Sequence, residues 1–264
     1  MSIESRKKKL LKKQKDIKNH IKKKNRARKK HKLNFSKNES YALLPYKNRI
    51  FVYNGIRKDS NRREPETIKW IEECMSTDDM LFDVGANIGA YSLIAASNSI
   101  KVYSFEPSAT TFLILLKNIM KNKFGSRIVP LSIPLSNKCS LDYFNYYDLM
   151  GGSSTHTFGA AIDYTGKKFK PVFKQLTMSM TIDDLVFAHN VQCPNHLKID
   201  VDGNELQILE GAVKVLACDS LKTICVEVIN NVSDELGVSK LLSKFSLIKD
   251  EGMGSKINKI YRKK

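Results

Sequence analysis

The sequence predicts an α/β fold in which helices cover both faces of a mostly parallel sheet. Short apolar segments alternate along the chain with segments whose apolar residues recur three and four positions apart, as in strands followed by helices. The predicted strands are almost continuously apolar, which is typical of strands buried on both sides. Hydrophobic residues make up 42% of the 264 residues, which is enough for a substantial core.

The individual elements follow from local patterns. Helical spacing predicts helices at residues 64–75, from about 87, at 109–123, after 203 and at 234–245. Apolar runs predict strands at residues 48–57, 80–85, 100–108, 127–136, 196–203 and 222–229, and residues 245–264 are interpreted as a closing hairpin. Prolines within 127–136 favour the edge of the sheet for that strand. The helix after residue 203 is predicted to bury one face, which carries Leu206, Leu209, Val213 and Leu216.

Residues 1–33 form a basic arm that differs in composition from the rest. The first 32 residues hold 16 Lys and Arg and 2 Asp and Glu, a net charge of +14, whereas the remainder carries only +4. Because like charges repel and a thin stripe of Leu and Ile offers little to bury, we predict an arm that is disordered or weakly helical alone. Such an arm could hold nucleic acid or an anionic membrane surface, or it could act only as a solubilising tail.

Residues 34–264 are predicted to form the folded domain, with a lead-in at 34–79 and an insertion at 140–180. The insertion is rich in Gly, Ser, Thr and aromatic residues, and we expect short strands in it. Its "GGSSTH" segment, residues 151–156, could form a mobile lid in which Ser153 or His156 touches an acceptor. A plain flexible loop is the simpler interpretation.

Composition also bears on compartment and metals. No segment approaches the about 20 apolar residues of a membrane span, and the first residues lack the apolar stretch of a secretory signal. The five cysteines are widely spaced and form no CxxC pair, so we expect free thiols and a cytoplasmic protein. The histidines show no recognisable ligand spacing, so we predict no metal.

The segment "LFDVGANIGAYS", residues 81–92, predicts a ligand-binding corner between a strand and a helix. In parallel sheets, ligands bind at the carboxyl ends of the strands. Gly85 and Gly89 let the backbone approach a ligand, and Asn87 tolerates a left-handed conformation. The helix that follows presents unpaired N–H groups. A strand–turn–helix corner without any ligand is the structural alternative.

Two acids indicate which ligand the corner holds. Asp83 lies inside the motif, where it would repel a pyrophosphate but accept hydrogen bonds from an ammonium group. Glu106 ends the next strand, where a carboxylate suits a ribose diol. A nicotinamide cofactor would need G-x-G-x-x-G, which has a different glycine spacing. We therefore predict S-adenosylmethionine as the cofactor, with Ser136 as a further cofactor-binding residue.

Five segments occur in an order that resembles a known family: "FDVGANIGAYS", "SFEPS", "TIDDL", "HLKIDVDGNELQILEGA" and "CVEV". They resemble the FkbM-type methyltransferases, a branch of the class I S-adenosylmethionine-dependent enzymes, from about Asp79 to Val228. The resemblance implies a Rossmann-like fold with a seven-stranded sheet whose last strand is antiparallel. It also implies O-methylation, often of a glycan or a small molecule. Asp202 and Asn204 stand where the family usually has Glu and often has Ala.

Methyl transfer to a hydroxyl needs a general base near the acceptor oxygen. Asp200, at the carboxyl end of the fourth strand, is the predicted base, and a structural acid or helix cap is the alternative. Asp202 is interpreted as a helix cap and Glu205 as an ordinary first-turn acid. Glu227 could orient the acceptor or simply lie at the rim of the sheet. His156 is an alternative base if its loop closes over the site.

Three functions stay open at this point. The first is an O-methyltransferase acting on a hydroxyl of a glycan or small metabolite. The second is an RNA ribose methyltransferase whose basic arm holds the nucleic acid, although Glu227 stands where such enzymes are expected to need a lysine. The third is a binding protein that has lost catalysis. The intact cofactor motif argues against this function, because such a motif has no evident use without its ligand.

Overall fold

The structure is a computed structural model that describes residues 40–53, 59, 64–229, 232–253 and 256–264. The predicted basic arm and the Asn-Gly turn at 54–55 lie outside the described residues. The folded unit spans Tyr41–Lys264. Within the part of the chain that the structure describes, no helix combines the length and apolar character needed to cross a bilayer.

Strands and helices alternate through most of this unit, as the sequence predicts. The strands are β1 (Tyr41–Leu44), β2 (Ile50–Tyr53), β3 (Met80–Val84), β4 (Lys101–Phe105), β5 (Ile128–Leu131), β6 (Ser140–Tyr146), β7 (Thr157–Phe158), β8 (Phe173–Ser179), β9 (His196–Ile199), β10 (Thr223–Ile229), β11 (Phe245–Met253) and β12 (Lys256–Lys263). The helices are α1 (Pro65–Cys74), α2 (Ala90–Ser97), α3 (Ala109–Asn122), α4 (Ile182–Phe187), α5 (Glu205–Glu210), α6 (Val213–Ala217) and α7 (Val232–Leu241).

The central sheet has seven strands in the order β11-β12-β10-β9-β3-β4-β5. The neighbours from β10 through β9, β3 and β4 to β5 pair in parallel. The last strand, β12, lies between β10 and β11 and pairs antiparallel to both. The predicted mostly parallel sheet, its antiparallel last strand, the closing hairpin and the edge position of β5 are therefore confirmed.

Helices cover both faces of this sheet and bury two separate hydrophobic clusters. Successive residues of β3 enter opposite clusters: Phe82 packs with residues of α4 to α7, and Leu81 packs with residues of α1 to α3. Both side chains are fully buried. Burial of such a side chain contributes about 1.5–3 kcal/mol, so both layers stabilise the position of the strand that ends at the predicted corner.

The strand order places a crevice at the carboxyl end of β3. The chain leaves β3 for β4 on one side and returns to β9 on the other, so β3 is the switch point of the sheet. Connections that leave in opposite directions open a space above the strand ends, where ligands of such folds bind. The insertion forms a three-stranded antiparallel sheet from β6, β7 and β8, which confirms the short strands expected there.

One predicted helix is wrong in detail. The segment after residue 203 forms two short helices, α5 and α6, and Val213 is exposed instead of buried. The chain breaks at Gly211 because it passes close to the backbone of Ser136, where a Cβ on Gly211 would lie 2.2 Å from the carbonyl oxygen. Asp183 of α4 then accepts hydrogen bonds from two N–H groups at the start of α6.

Candidate active site

An open cavity with about 620 Å³ of empty space lies at the carboxyl ends of β3, β4 and β9. Its wall is built from the turn after β3, the end of β4, the segment after β5 and the loop after β9. Residues of the insertion close the remaining side. The position agrees with the crevice expected at the switch point of the sheet.

The glycine corner brings two loops into contact at the floor of this cavity. Gly85 has a φ of +77°, and a Cβ there would lie only 1.8 Å from the carbonyl oxygen of Asp200. Only glycine combines this left-handed backbone with such a close approach. Asn87 adopts the predicted left-handed conformation, with a φ of 52°. Gly85, Asn87 and Asp200 all line the cavity.

Glu106 supplies a carboxylate to the wall of the cavity. Its side chain is almost buried, and each carboxylate oxygen accepts a backbone hydrogen bond: Oε2 from the N–H of Asn87 and Oε1 from the N–H of Ser108, both at 2.9 Å. These bonds tie the carboxylate to the corner after β3 and to the start of α3. Glu106 is thus held in one orientation at the cavity wall, where it can accept hydrogen bonds from a ligand's hydroxyls.

Much of the remaining cavity lining is apolar or aromatic. Pro134 and Leu135 follow β5, Ile208 comes from α5, and Phe144 and Phe158 come from the insertion. A flat heterocycle fits a wall of this composition, since pockets for such groups are mostly apolar with few polar contacts. The cavity lining therefore combines a fixed carboxylate with apolar and aromatic side chains that suit a flat ring.

Comparison with known protein families identifies the family to which this chain belongs. The model of the family described as Methyltransferase FkbM domain matches residues 83–242, from the cavity corner to the helix after β10. The chain belongs to the FkbM methyltransferase family. The predicted family, its enzymatic class and the Rossmann-like fold are confirmed.

Individual relatives agree with the family assignment. The chain is 31% identical over 186 residues to the hexuronic acid methyltransferase AglP of Haloferax volcanii, an alignment that covers 70% of each chain. It is 26% identical over 155 residues to the 31-O-demethyl-FK506 methyltransferase FkbM of Streptomyces tacrolimicus, of which it covers 59%. Among solved structures, the methyltransferase FkbM of Methylobacillus flagellatus KT superposes with a TM-score of 0.50 at 17% identity, over 71% of this chain and 44% of that one.

In this FkbM-family methyltransferase, the predicted base is paired with a lysine. Lys198 Nζ donates to Asp200 Oδ2 at 2.9 Å, and Lys198 is only 2% exposed. Its ammonium also lies 5.0 Å from the centre of the Tyr91 ring. Burial alone would lower the pKa of Lys198, but the carboxylates of Asp200 and Asp83 outweigh it and raise the pKa above its usual value. The ammonium is therefore charged, and it holds the Asp200 carboxylate at the cavity wall.

Lys198 was missed in the sequence analysis. A lysine inside the otherwise apolar strand β9 was the signal that could have identified it. A charged residue is almost never fully buried without a partner, so such a lysine predicts buried carboxylates beside it.

The structure places Asp83 beneath the cavity, not in its wall. Asp83 is fully buried and stands opposite Lys198 in the β3–β9 ladder. Ser92 Oγ donates to its Oδ2 at 2.5 Å, whereas Oδ1 has no hydrogen-bond partner among the described residues. Burial raises the pKa of Asp83, and the charge of Lys198 opposes that rise. Asp83 therefore lies beside Lys198 and outside the cavity lining, and its contact with the cofactor stays a prediction.

Gly89 and Ser136 also lie outside the cavity lining. Gly89 has a φ of +86° at the start of α2, and a Cβ there would lie 2.4 Å from Leu115 Cδ1, so this glycine serves the packing of α2 against α3. Ser136 lines a neighbouring groove, and its N–H donates to the carbonyl of Met180. The four predicted site residues that the structure brings together at the cavity are Gly85, Asn87, Glu106 and Asp200.

Hydrogen bonds join the "GGSSTH" segment to neighbouring elements beside the cavity. Asn87 Nδ2 donates to the carbonyl of Ser153 at 3.0 Å, and the N–H of Thr155 donates to Asp202 Oδ2 at 3.0 Å. The N–H of Gly152 donates to the hydroxyl of Thr111 in α3 at 3.1 Å. The segment thus forms a fixed wall that joins the corner after β3 to the loop after β9.

The interpretation of Asp202 as a helix cap is wrong. Its carboxylate accepts from Thr155 in the insertion, and Asn204 precedes α5 without a side-chain cap.

Glu205 has a structural role that its position in the first turn did not reveal. It is almost buried, and its Oε1 accepts from the N–H groups of Val201 and Gly203, both at 3.1 Å. Burial raises the pKa of Glu205 to about 7, and the side chain holds the loop that carries Asp200.

His156 cannot serve as the alternative base in this arrangement. The N–H of Tyr147 donates to His156 Nδ1 at 3.2 Å, so the ring proton of the neutral histidine lies on Nε2. An Nε2 that already carries a proton cannot accept another. Glu227 is also buried, in β10, and does not line the cavity.

Proposed function

We propose that this methyltransferase takes its methyl group from S-adenosylmethionine and transfers it to a hydroxyl of a glycan or small metabolite. The observation that carries the proposal is the cavity at the switch point, whose lining combines the Glu106 carboxylate with apolar and aromatic side chains. Because no phosphate-binding glycine motif accompanies it, a nucleoside without a diphosphate is the ligand that fits.

The cavity residues fit the parts of this cofactor. Glu106 would accept hydrogen bonds from the two ribose hydroxyls, and the wall of Leu135 and Phe158 would cover the adenine ring. The methionine portion would lie near the turn that carries Gly85 and Asn87, which also lines the cavity. When bound, the cofactor supplies a methyl group that its sulfonium already activates, so the protein's task is mostly to position the acceptor.

Asp200 is proposed to orient the acceptor hydroxyl and to take its proton. Pairing with Lys198 makes the carboxylate a weaker base, because the ammonium stabilises its charged form. A weak base is sufficient here, since the acceptor oxygen becomes more acidic as its bond to the methyl carbon forms. Lys198 acts through Asp200 and is a positioning residue.

Support for a glycan acceptor comes from the 31% identity to a hexuronic acid methyltransferase. RNA as acceptor is supported only by the composition of residues 1–32. We place the enzyme in the cytoplasm, because its five cysteines are free thiols, which are typical of proteins in a reducing compartment.

Incubation with isotope-labelled S-adenosylmethionine tests the proposal. Three acceptors are compared: an oligosaccharide containing a hexuronic acid, a neutral oligosaccharide and a mixed-sequence RNA. With the wild type, we expect methyl label on a glycan hydroxyl. The Asp200→Asn variant should not transfer the label, and the Asp78→Asn variant, changed at an exposed residue, should transfer it like the wild type. Label on RNA ribose alone would contradict the glycan proposal, and a donor other than S-adenosylmethionine would contradict the cofactor.

A further inference from the structure

The sheet of the insertion has an apolar face that is exposed. Successive strand residues point to opposite faces, so the antiparallel register of β6 and β8 places two apolar cross-strand pairs side by side on one face. The side chains of these pairs are 46–61% exposed. We call this surface the outer apolar face; its members are Leu141, Tyr143, Leu176 and Met178.

The opposite face of the same sheet packs against the rest of the domain. Phe144 and Tyr146 are buried there, and the Tyr146 hydroxyl accepts a hydrogen bond from the N–H of Ala109 in α3 at 2.9 Å. An antiparallel sheet with one packed face usually presents polar side chains on the other. The insertion departs from this pattern, because its solvent side is also apolar.

Exposed apolar side chains are concentrated in the insertion. In the part of the chain that the structure describes, more than half of the exposed large hydrophobic residues lie between residues 140 and 180. Several of them continue the outer apolar face at one end of the sheet, where the N–H of Val172 donates to the carbonyl of Tyr146 and joins the two chain segments. These are Tyr147, Leu149, Met150, Val172 and Phe173. A contiguous exposed apolar surface of this kind marks an interaction site.

The charges around this surface are positive. On the outward side of β6 and β8 the charged residue is Lys174, whose ammonium lies 5.6 Å from the centre of the Tyr143 ring. Lys168 and Lys170 are exposed on either side of Phe169, whose ring contacts that of Tyr147 with a centroid distance of 5.5 Å. The outer apolar face is therefore accompanied by ammonium groups.

The acids of the insertion are directed elsewhere. Asp142 is paired with Thr177 on the opposite face of the sheet. Asp148 accepts hydrogen bonds from the N–H of Met150 and the hydroxyl of Ser153. Asp163 accepts hydrogen bonds within its own turn. These carboxylates therefore do not offset the positive charge beside the outer apolar face.

Net charge favours an anionic partner over a second copy of this chain. The chain carries a net charge of +18, so two copies repel one another, whereas an anionic surface attracts each of them. Phosphates of a nucleic acid would match the lysines but would leave the Leu and Met side chains in water. An anionic lipid bilayer matches both, because its headgroups meet ammonium groups and its acyl boundary takes up apolar side chains.

We propose that the outer apolar face docks on an anionic lipid bilayer. Its four apolar side chains would enter the boundary between headgroups and acyl chains, and Lys174 would meet the headgroups. The proposal does not depend on the cofactor or on the acceptor. Since Phe144 on the opposite face lines the cavity, docking would place the cavity one sheet away from the bilayer surface.

Sedimentation of the full chain with lipid vesicles tests the proposal. The vesicles contain either phosphatidylcholine alone or phosphatidylcholine with about one-third phosphatidylserine. We expect binding to the anionic vesicles and little binding to the neutral ones. In Leu176→Gln, affinity for the anionic vesicles should fall roughly 3- to 10-fold, because a half-exposed apolar side chain no longer leaves water. Leu43→Gln is the matched control, since Leu43 is also a strand residue and is 52% exposed, against 54% for Leu176.

The other outcomes would overturn the proposal. If Leu176→Gln binds the anionic vesicles as tightly as the wild type, or if Leu43→Gln loses as much, charge alone holds the chain and the outer apolar face is not the docking surface. Binding of a mixed-sequence RNA without binding of vesicles would identify a nucleic-acid partner instead. Self-association in analytical ultracentrifugation that is lost in Leu176→Gln would identify a second copy as the occupant.

A measurement on the wild-type chain replaces the variant if Leu176→Gln does not fold. Hydrogen exchange of the backbone amides of β8, residues 173–179, is compared with and without the anionic vesicles. Docking should slow this exchange, because the strand would lie against the bilayer. Unchanged exchange in β8 while the chain is bound to the vesicles would overturn the proposal.

Discussion

Lys198 Nζ lies 2.9 Å from Asp200 Oδ2 at the carboxyl end of β9, so a buried ammonium fixes the carboxylate that faces the cavity. Lys198 also stands opposite Asp83 in the neighbouring strand, and the charge of Asp83 acts on its ammonium. One buried cation therefore serves an acid beneath the cavity and an acid at its wall. We propose that the two acids have different roles: Asp83 supports the charge of Lys198, and Asp200 orients the acceptor.

Asp200→Asn should lower kcat by roughly 10²- to 10⁴-fold, the range for loss of a general base. The amide keeps the size of the side chain but cannot take the hydroxyl proton. Binding of S-adenosylhomocysteine should change by less than about 3-fold, because the proposed cofactor contacts lie on Glu106 and the corner after β3. Steady-state kinetics and calorimetry measure the two effects. Equal turnover in Asp200→Asn and in the control Asp78→Asn would remove Asp200 from the base role.

Lys198→Met should lower the free energy of unfolding by about 3–5 kcal/mol, because it leaves the buried Asp83 and the partly buried Asp200 without their cation. Lys198→Arg should lose less, since the charge is kept. Urea denaturation measures the change, and Lys101→Met is the control because its ion pair with Asp78 is exposed and 3.7 Å long. That control should stay within about 1 kcal/mol of the wild type. A Lys198→Met variant as stable as the control would show that the carboxylates do not depend on the ammonium.

Gly85→Ala should lower the free energy of unfolding several times more than Gly166→Ala does. Both glycines have a left-handed backbone, with φ of +77° and +82°. A Cβ on Gly85 meets the carbonyl oxygen of Asp200 at 1.8 Å, whereas a Cβ on Gly166 meets nothing within 4 Å. The control therefore reports backbone strain alone, about 1–2 kcal/mol, and the difference reports the close approach of the two loops. Similar thermal-denaturation midpoints for the two variants would contradict the close approach.

Compared with the wild type, the Glu205→Gln variant should become more stable as the pH rises. The pKa of Glu205 is about 7 in the folded chain and about 4.3 when unfolded, so the folded state holds the extra proton between these values. Stability from this group is complete below the unfolded pKa and is lost as the pH rises through the folded pKa. Gln keeps an acceptor oxygen for the Val201 and Gly203 N–H groups but does not titrate. Urea denaturation measures the free energy of unfolding of both proteins. The value for the variant minus that for the wild type should rise by about 2–3 kcal/mol between about pH 5 and about pH 8. A gap that stays constant with pH would contradict the raised pKa.

The fold was predictable because its signals are local. The alternation of apolar runs and helical spacing marked the strands of the parallel sheet, and the two prolines of the third strand marked the sheet edge. The break between α5 and α6 was not predictable, because it depends on Gly211 meeting the backbone of Ser136, far away in the sequence.

The candidate site was predictable only in part. Glycine spacing and strand ends identified Gly85, Asn87 and Glu106, since these follow from the backbone path of the corner. The position of Asp83 opposite Lys198 depends on the register between β3 and β9, which the sequence does not display. Lys198 and Asp200 are only two residues apart, so their pairing was within reach of the sequence once Lys198 was recognised as a strand residue. The anchoring of the insertion likewise depends on contacts between Asn87 and Ser153 that are distant in the chain.

Calorimetric titration of the full chain with S-adenosylhomocysteine, in the wild type, in Glu106→Gln and in the exposed Glu73→Gln, tests most directly whether the cavity holds the methyl donor. We predict one binding site in the wild type and in Glu73→Gln, an affinity at least about 10-fold weaker in Glu106→Gln, and no heat with NAD, because Glu106 meets the ribose through charge-assisted hydrogen bonds. No binding of S-adenosylhomocysteine to the wild type, or equal affinity in Glu106→Gln, would contradict the account.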